Sequence, residues 1–189
     1  MEYPTNWRAV PIYPTRRTFP PLDAWVPRLE AWLPTYVTGY GNLVDVTLEN
    51  GDRFYIGVHT KRMWEMVARY HLIDTGELKR RYRELHGMSQ NVPLPVAPRR
   101  TVLAAFKSRA TCRVGYKNDG AMGYIAVARI ACIEEAAADR VHIHLRSGRI
   151  LTHLPMSLRH CRSQVMRAEN FYLHLLREGV IADGGWQRL

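Results

Sequence analysis

The chain has 189 residues, 47% of them hydrophobic and 23% charged, which is ordinary globular composition with enough apolar material for a real core. Its net charge of +10 is uneven: residues 1–90 hold 12 Lys and Arg against 10 Asp and Glu, net +2, while residues 91–189 hold 15 against 7, net +8. That excess points to anionic, phosphate-rich partners rather than to any particular fold.

Cys112, Cys132 and Cys161 are odd in number and widely spaced. They suggest neither a disulfide framework nor a paired-cysteine zinc motif, and a reducing compartment fits best. No apolar run follows the opening MEYPTNWRAV, and none reaches the roughly 18 residues of a membrane span. The expectation is a soluble, cytoplasmic, unexported protein.

In chain order, Pro4, Pro11, Pro14, Pro20 and Pro21 predict an irregular arm, since proline removes backbone donors. DAWVPRLEAWL then sets Trp25, Leu29, Trp32 and Leu33 at helical spacing, with Pro27 tolerable in a first turn. The tryptophans are read as core rather than as base-stacking platforms. Residues 42–58 alternate Val44, Val46 and Leu48 with Phe54, Ile56 and Val58 around a turn glycine. A three-residue loop ending at Gly51 puts all six on one face, leaving Asp45, Thr47, Arg53 and Tyr55 outside.

Residues 58–71 carry a helical stripe of Met63, Val67 and Tyr70, and Asp74 with Glu77 forms a capping box ahead of a second helix. The run KRRYRE on that helix is read as a solvated face. Residues 86–98, with three prolines and no periodicity, read as a linker. Beyond it TVLAAFKSR, TCRVGYK, the NDG turn and GYIAVARIACIEE predict strands. The last element is a long amphipathic helix through Leu158, Cys161, Val165, Ala168, Tyr172 and Leu175, which Gly179 can end.

Between those strands and that helix lies RVHIHLRSGRILTHL, residues 140–154. With Ser147 and Gly148 as a two-residue loop, Arg146 faces Arg149, His144 faces Leu151 and His142 faces His153. Val141, Ile143, Leu145, Ile150, Thr152 and Leu154 then share a core face. The opposite face gathers His142, His144, Arg146, Arg149, Leu151 and His153, and like charges opposed in this way call for an anion. Matching VDVTLENG at 44–51 to VHIHLRSG at 141–148 suggests two related halves.

The cations Arg99, Arg100, Lys107, Arg109, Arg113, Lys117, Arg140, Arg146, Arg149, Arg159 and Arg162 suit phosphate and base-edge contacts or insertion into a narrow minor groove. Helix-turn-helix and zinc-finger spacings are absent, so a β-ribbon reader is the better template. A metal on His142, His144 and His153 is disfavoured by Arg146 and Arg149 on the same face, with no carboxylate to offset them. Glu134 and Glu135 with His142, or Cys161 after His160, would be the acid, base or nucleophile of an enzyme. Such pairs arise in any chain of this size, and no phosphate loop, nucleophile elbow or H-E-x-x-H accompanies them.

Residues 139–168, DRVHIHLRSGRILTHLPMSLRHCRSQVMRA, and the stretch FKSRATCRVGYKNDGAMGYIAVARI resemble the competence transcription factor family, ComK. The carriers are a strand and turn glycine, a Leu-Pro break, Gln-Val-x-Arg-Ala in a helix, and Asp-Gly-Ala-x-Gly-Tyr. The likeness covers residues 100–176 and not the first half. GYIAVARIACIEEAAADRVHIHL also resembles LytTR-type DNA-binding domains. The resemblance implies an oligomeric activator of DNA-uptake genes that reads AT-rich boxes through the minor groove. Regulated proteolysis through the family's longer tail is not carried over.

The sequence therefore predicts an α+β protein of β-hairpin-rich sheets with flanking helices. Residues 1–90 form an N-terminal half and residues 99–189 a basic, DNA-binding half. Arg140, His142, His144, Arg146 and Arg149 are expected to face duplex DNA, with Lys107, Arg109 and Lys117 extending the patch and Arg159 and Arg162 adding backbone contacts at a helix start. The protein is expected to be a homo-oligomeric non-enzyme without cofactor. An RNA-binding protein, a protein-interaction module presenting its N-terminal tryptophans, and a histidine-site metalloenzyme remain as alternatives.

Overall fold

The computed structural model describes residues 10–96, 101–108, 122–182 and 185–186. In chain order the elements are β1 (Ile12–Tyr13), α1 (Leu22–Trp25), β2 (Leu29–Val37), β3 (Gly41–Leu48), β4 (Arg53–Ile56), α2 (Thr60–Tyr70), α3 (Thr75–His86) and β5 (Leu94–Val96). There follow β6 (Thr101–Lys107), β7 (Met122–Ala126), β8 (Ile130–Ala137), β9 (Arg140–Leu145), β10 (Ile150–Leu154), α4 (Leu158–Arg177), β11 (Ile181–Ala182) and β12 (Gly185–Trp186). A large sheet runs in the order β1-β4-β3-β2-β7-β6-β5, and a smaller one β10-β9-β8. The class is α+β, as the hairpins and helical stripes predict.

The first correction concerns residues 23–33. The helix there ends at Trp25, a 3-10 turn spans Val26–Arg28, and the chain is extended from Leu29. Pro27 cannot donate in a continuing helix. Beyond it, LEAWL is buried or half-buried throughout, Glu30 included, because β2 is covered on both faces, and such a two-sided strand imitates helical spacing. Trp25 and Trp32 are core residues, as expected.

The halves drawn at 1–90 and 99–189 share this large sheet. Strand β2 of the first pairs with β7 of the second, Ala31 opposite Ile125 and Trp32 opposite Tyr124. The stretch read as a linker contributes β5, whose Leu94 and Val96 are buried. One face of the large sheet packs Trp32, Val46, Phe54 and Leu103 with α2, α3 and Phe171 and Leu175 of α4. The other face brings Ala31, Ala104, Phe106 and Ile125 against the small sheet and Cys161 and Ala168 of α4. Thus α4 closes both cores.

Half of the expected capping box forms at α3: Asp74 accepts from the Gly76 and Glu77 amides, while the Glu77 carboxylate turns to Arg80 and Arg81. Within KRRYRE, Arg80 pairs with Glu77 and Glu84 and Arg81 with Glu77, while Lys79 lies over the Trp64 ring of α2.

The two halves contain a similar succession of elements. A 3-10 turn leads into β2, β3, β4 and α2, and another, Val127–Arg129, leads into β8, β9, β10 and α4. The Leu48 amide donates to Asp52 O at 2.9 Å and the Leu145 amide to Arg149 O at 2.8 Å. The 3-10 turns accept equivalently: Glu49 N to Arg28 O and Arg146 N to Arg129 O, both at 2.9 Å. Gly51 and Gly148 end the loops at φ +84° and +86°, where only glycine is unstrained.

Gly123 controls the junction between β2 and β7. A Cβ there would collide with the Leu33 side chain and lie 2.7 Å from Trp32 O. Gly123→Ala is therefore expected to cost about 1–3 kcal/mol of unfolding free energy through forced strand separation. Gly148→Ala, whose Cβ meets nothing within 4 Å, should cost about 1 kcal/mol from its φ alone. Denaturant unfolding checks both, and equal costs would contradict the close junction.

Candidate functional site

The basic hairpin is in place but its register differs from the expected one. Ile150 lies opposite His144 and Leu151 opposite Ile143, so the loop holds Arg146, Ser147 and Gly148. A two-residue Ser-Gly loop would need positive φ at Ser147, whereas the three-residue loop asks it of glycine alone. The one-residue slip turns β10 over: Leu151 is buried and Ile150 is 48% exposed. A bulge at Thr152 and His153, with His153 at φ +54°, brings Leu154 back inside.

Arg149 moves with the slip. It points toward the first half, where Nη2 donates to Asp45 Oδ2 at 2.6 Å and Nη1 to Asp45 Oδ1 at 3.2 Å and to Thr47 Oγ1. Asp45 also accepts from Arg53 Nη2 at 2.7 Å. Its carboxylate, 5% exposed, therefore stands between two guanidinium groups. Arg146 donates from Nε to Ala128 O at 3.0 Å. Around the same joint the Ser147 amide donates to Glu30 Oε1 at 3.2 Å, and Arg129 pairs with Glu49 at 2.9 Å. The expectation that Arg149 shares an outer face with the histidines is corrected, the anion opposite it being Asp45, while Arg146 stays exposed in the hairpin loop.

The histidines have partners too. His144 Nε2 lies 2.9 Å from Glu134 Oε2, a carboxylate on the face where none was expected. The His153 amide donates to His142 Nδ1 at 3.1 Å, and the two rings meet edge to face at 4.7 Å. Among the described residues no three metal-capable side chains come together. Glu134 is engaged with His144, and Glu135 lies on the other face of β8, opposite Val141. Burial pushes the Cys161 thiol up to about 12, Arg162 only partly opposing it, so it is no thiolate nucleophile at neutral pH.

Other cations lie open. Arg140, the first residue of β9, Arg146, in the hairpin loop, and Arg159 and Arg162, on the first turns of α4, are exposed and form no ion pair among the described residues. Ser157 caps α4 by accepting from the His160 amide. Beside it a cleft of about 830 Å³ runs between β8 and α4, lined by Ile133, Glu135, Leu158, Arg159, Arg162 and Met166. Lys107 ends β6 half-buried, and Arg99, Arg100, Arg109, Arg113 and Lys117 lie outside the described residues. The acidic partners of Arg149 and His144 escaped the sequence reading because the first is 104 residues away and the second needs the strand register.

No protein-family model, curated protein or solved structure matches the chain.

Removing Arg149 leaves the buried Asp45 with Arg53 alone. Arg149→Ala should therefore lower the unfolding free energy by about 2 kcal/mol, while the exposed Arg140→Ala should stay within about 0.5 kcal/mol. Thermal or denaturant unfolding reads the difference, and equal stabilities would place Arg149 in solvent instead.

Proposed function

We propose that this protein is a DNA-binding transcription regulator similar to the ComK family, acting as a homo-oligomer on AT-rich duplex DNA in the cytoplasm. One observation carries the reading. Arg53, Arg80, Arg81, Arg129 and Arg149 are each paired with an acid, yet Arg140, Arg146, Arg159 and Arg162 of the second half are left exposed without one among the described residues. A half with net +8 that commits Arg149 internally and still presents exposed arginines has cations to offer phosphate.

The interface in this reading differs from the face first expected. Arg140 and Arg159 contact the backbone or enter the minor groove, where arginine suits narrow AT-rich tracts. Lys107 leads into a stretch whose Arg109, Arg113 and Lys117 extend the field. His142 and His144 stand behind, tied to His153 and Glu134. Of the tryptophans an interaction module could present, Trp25, Trp32 and Trp64 are buried, and Trp7 of the N-terminal arm lies outside the described residues. No described helix is long and apolar enough to cross a membrane.

Fluorescence anisotropy with an AT-rich duplex, a GC-rich duplex and a single-stranded RNA, each at two salt concentrations, tests the proposal. The AT-rich duplex should bind tightest at both salts. The double variant Arg140→Ala, Arg159→Ala should weaken binding and reduce the salt slope by about two. Equal, weak binding to all three that vanishes with added salt would overturn it.

A further inference from the structure

The repeated halves differ at one edge. Strand β2 opens the first unit, and its side away from β3 is covered by β7. Strand β8 opens the second, and its side away from β9 has no strand among the described residues. None of its eight residues is buried. Such an edge presents free backbone donors and acceptors to another strand, and edges that must stay single usually carry lysine or proline. IACIEEAA has neither; its edge features are Glu134, Glu135 and the bulges against β9 between Ile130 and Cys132 and between Glu135 and Ala137, which leave Cys132–Glu135 as the regular stretch.

We infer that β8, with the cleft between it and α4, docks a second copy of this chain, the two β8 strands pairing antiparallel about a two-fold axis. Pairing Ile133 with Ile133 of the second copy keeps the inner faces together and sets Cys132 against Glu134. It avoids placing Glu134 on Glu134, which like charges disfavour. Each three-stranded sheet would become half of one continuous sheet with both α4 helices over its seam. Met166, 59% exposed on α4, would gain apolar cover from its counterpart.

Charge selects this occupant. A nucleic acid would meet Glu134 and Glu135 along the strand. A second copy of a chain of net charge +10 is repelled overall, so its seat must carry both signs. This cleft does: Glu135 from β8 and Arg162 from α4 both line it, and a two-fold axis brings each Glu135 toward the other copy's Arg162, closing an isologous contact. The inference deepens the oligomer part of the preceding reading and moves Arg162 from DNA to the seam.

Sedimentation of the full chain without nucleic acid tests it, so its failure is distinct from failure of DNA binding. The wild type should dimerise. Glu135→Arg and Arg162→Glu should each weaken association on the order of a hundredfold, as like charges oppose across the seam. Mixing E135R with R162E should restore a heterodimer, and Met166→Lys should dissociate the wild type. Amide exchange across residues 130–137 should be slow in the dimer and fast in the variants. A monomeric wild type, a dimer that none of the variants affects, or a mixture that stays monomeric would each overturn the inference.

Discussion

A carboxylate sealed from water is stabilised by cations held against it, and Asp45 is such a carboxylate, held between Arg53 of its own hairpin and Arg149 of the hairpin in the second half. The rest of the arrangement depends on that contact. It gives the arginine side of the second hairpin an internal partner and sets the tip of one hairpin against the tip of the other. The backbone follows: Ser147 O lies 3.6 Å from where a Cβ on Gly51 would sit. Both loops end in glycine at positive φ, so neither tip carries a side chain there to hold the other away.

From this joint the two units diverge. The first spends the open edge of β2 on β7 and is covered by α2 and α3. The second keeps β8 open and is covered by α4 alone, whose far half, through Phe171 and Leu175, reaches the other core. Packing thereby leaves one strand edge, one helix stripe and a few arginines of the second unit free to meet partners, while the first unit serves as their support.

The hairpins, three of the helices and the capping aspartate were legible in the sequence, because turn glycines, period and capping are local signals. What was not legible is instructive in each case. The strand from Leu29 to Val37 reads as a helix because burial on both faces removes the alternation that identifies strands. The register of β10 hangs on one loop residue, and that residue decides whether Ile150 or Leu151 enters the core. Leu94 and Val96 lie in a proline-rich stretch but supply an edge strand, where proline is tolerated. The partners of Arg149 could not be read at all, since nothing local marks Asp45 as the acid that a hairpin about a hundred residues later will need.

The same facts change what a basic face means. Arginines gathered on one hairpin look like a nucleic-acid surface, yet Arg149 answers an acid within the chain and Arg146 a backbone carbonyl. The exposed cations left for a phosphate backbone are Arg140 at the start of β9, Arg146 in the hairpin loop and Arg159 at the start of α4. The most direct measurement is a double-mutant cycle on Asp45→Asn and Arg149→Met, followed by denaturant unfolding. The account predicts a coupling of about 2 kcal/mol within a single cooperative transition. Additive effects with no coupling would contradict it and return Arg149 to the solvent face.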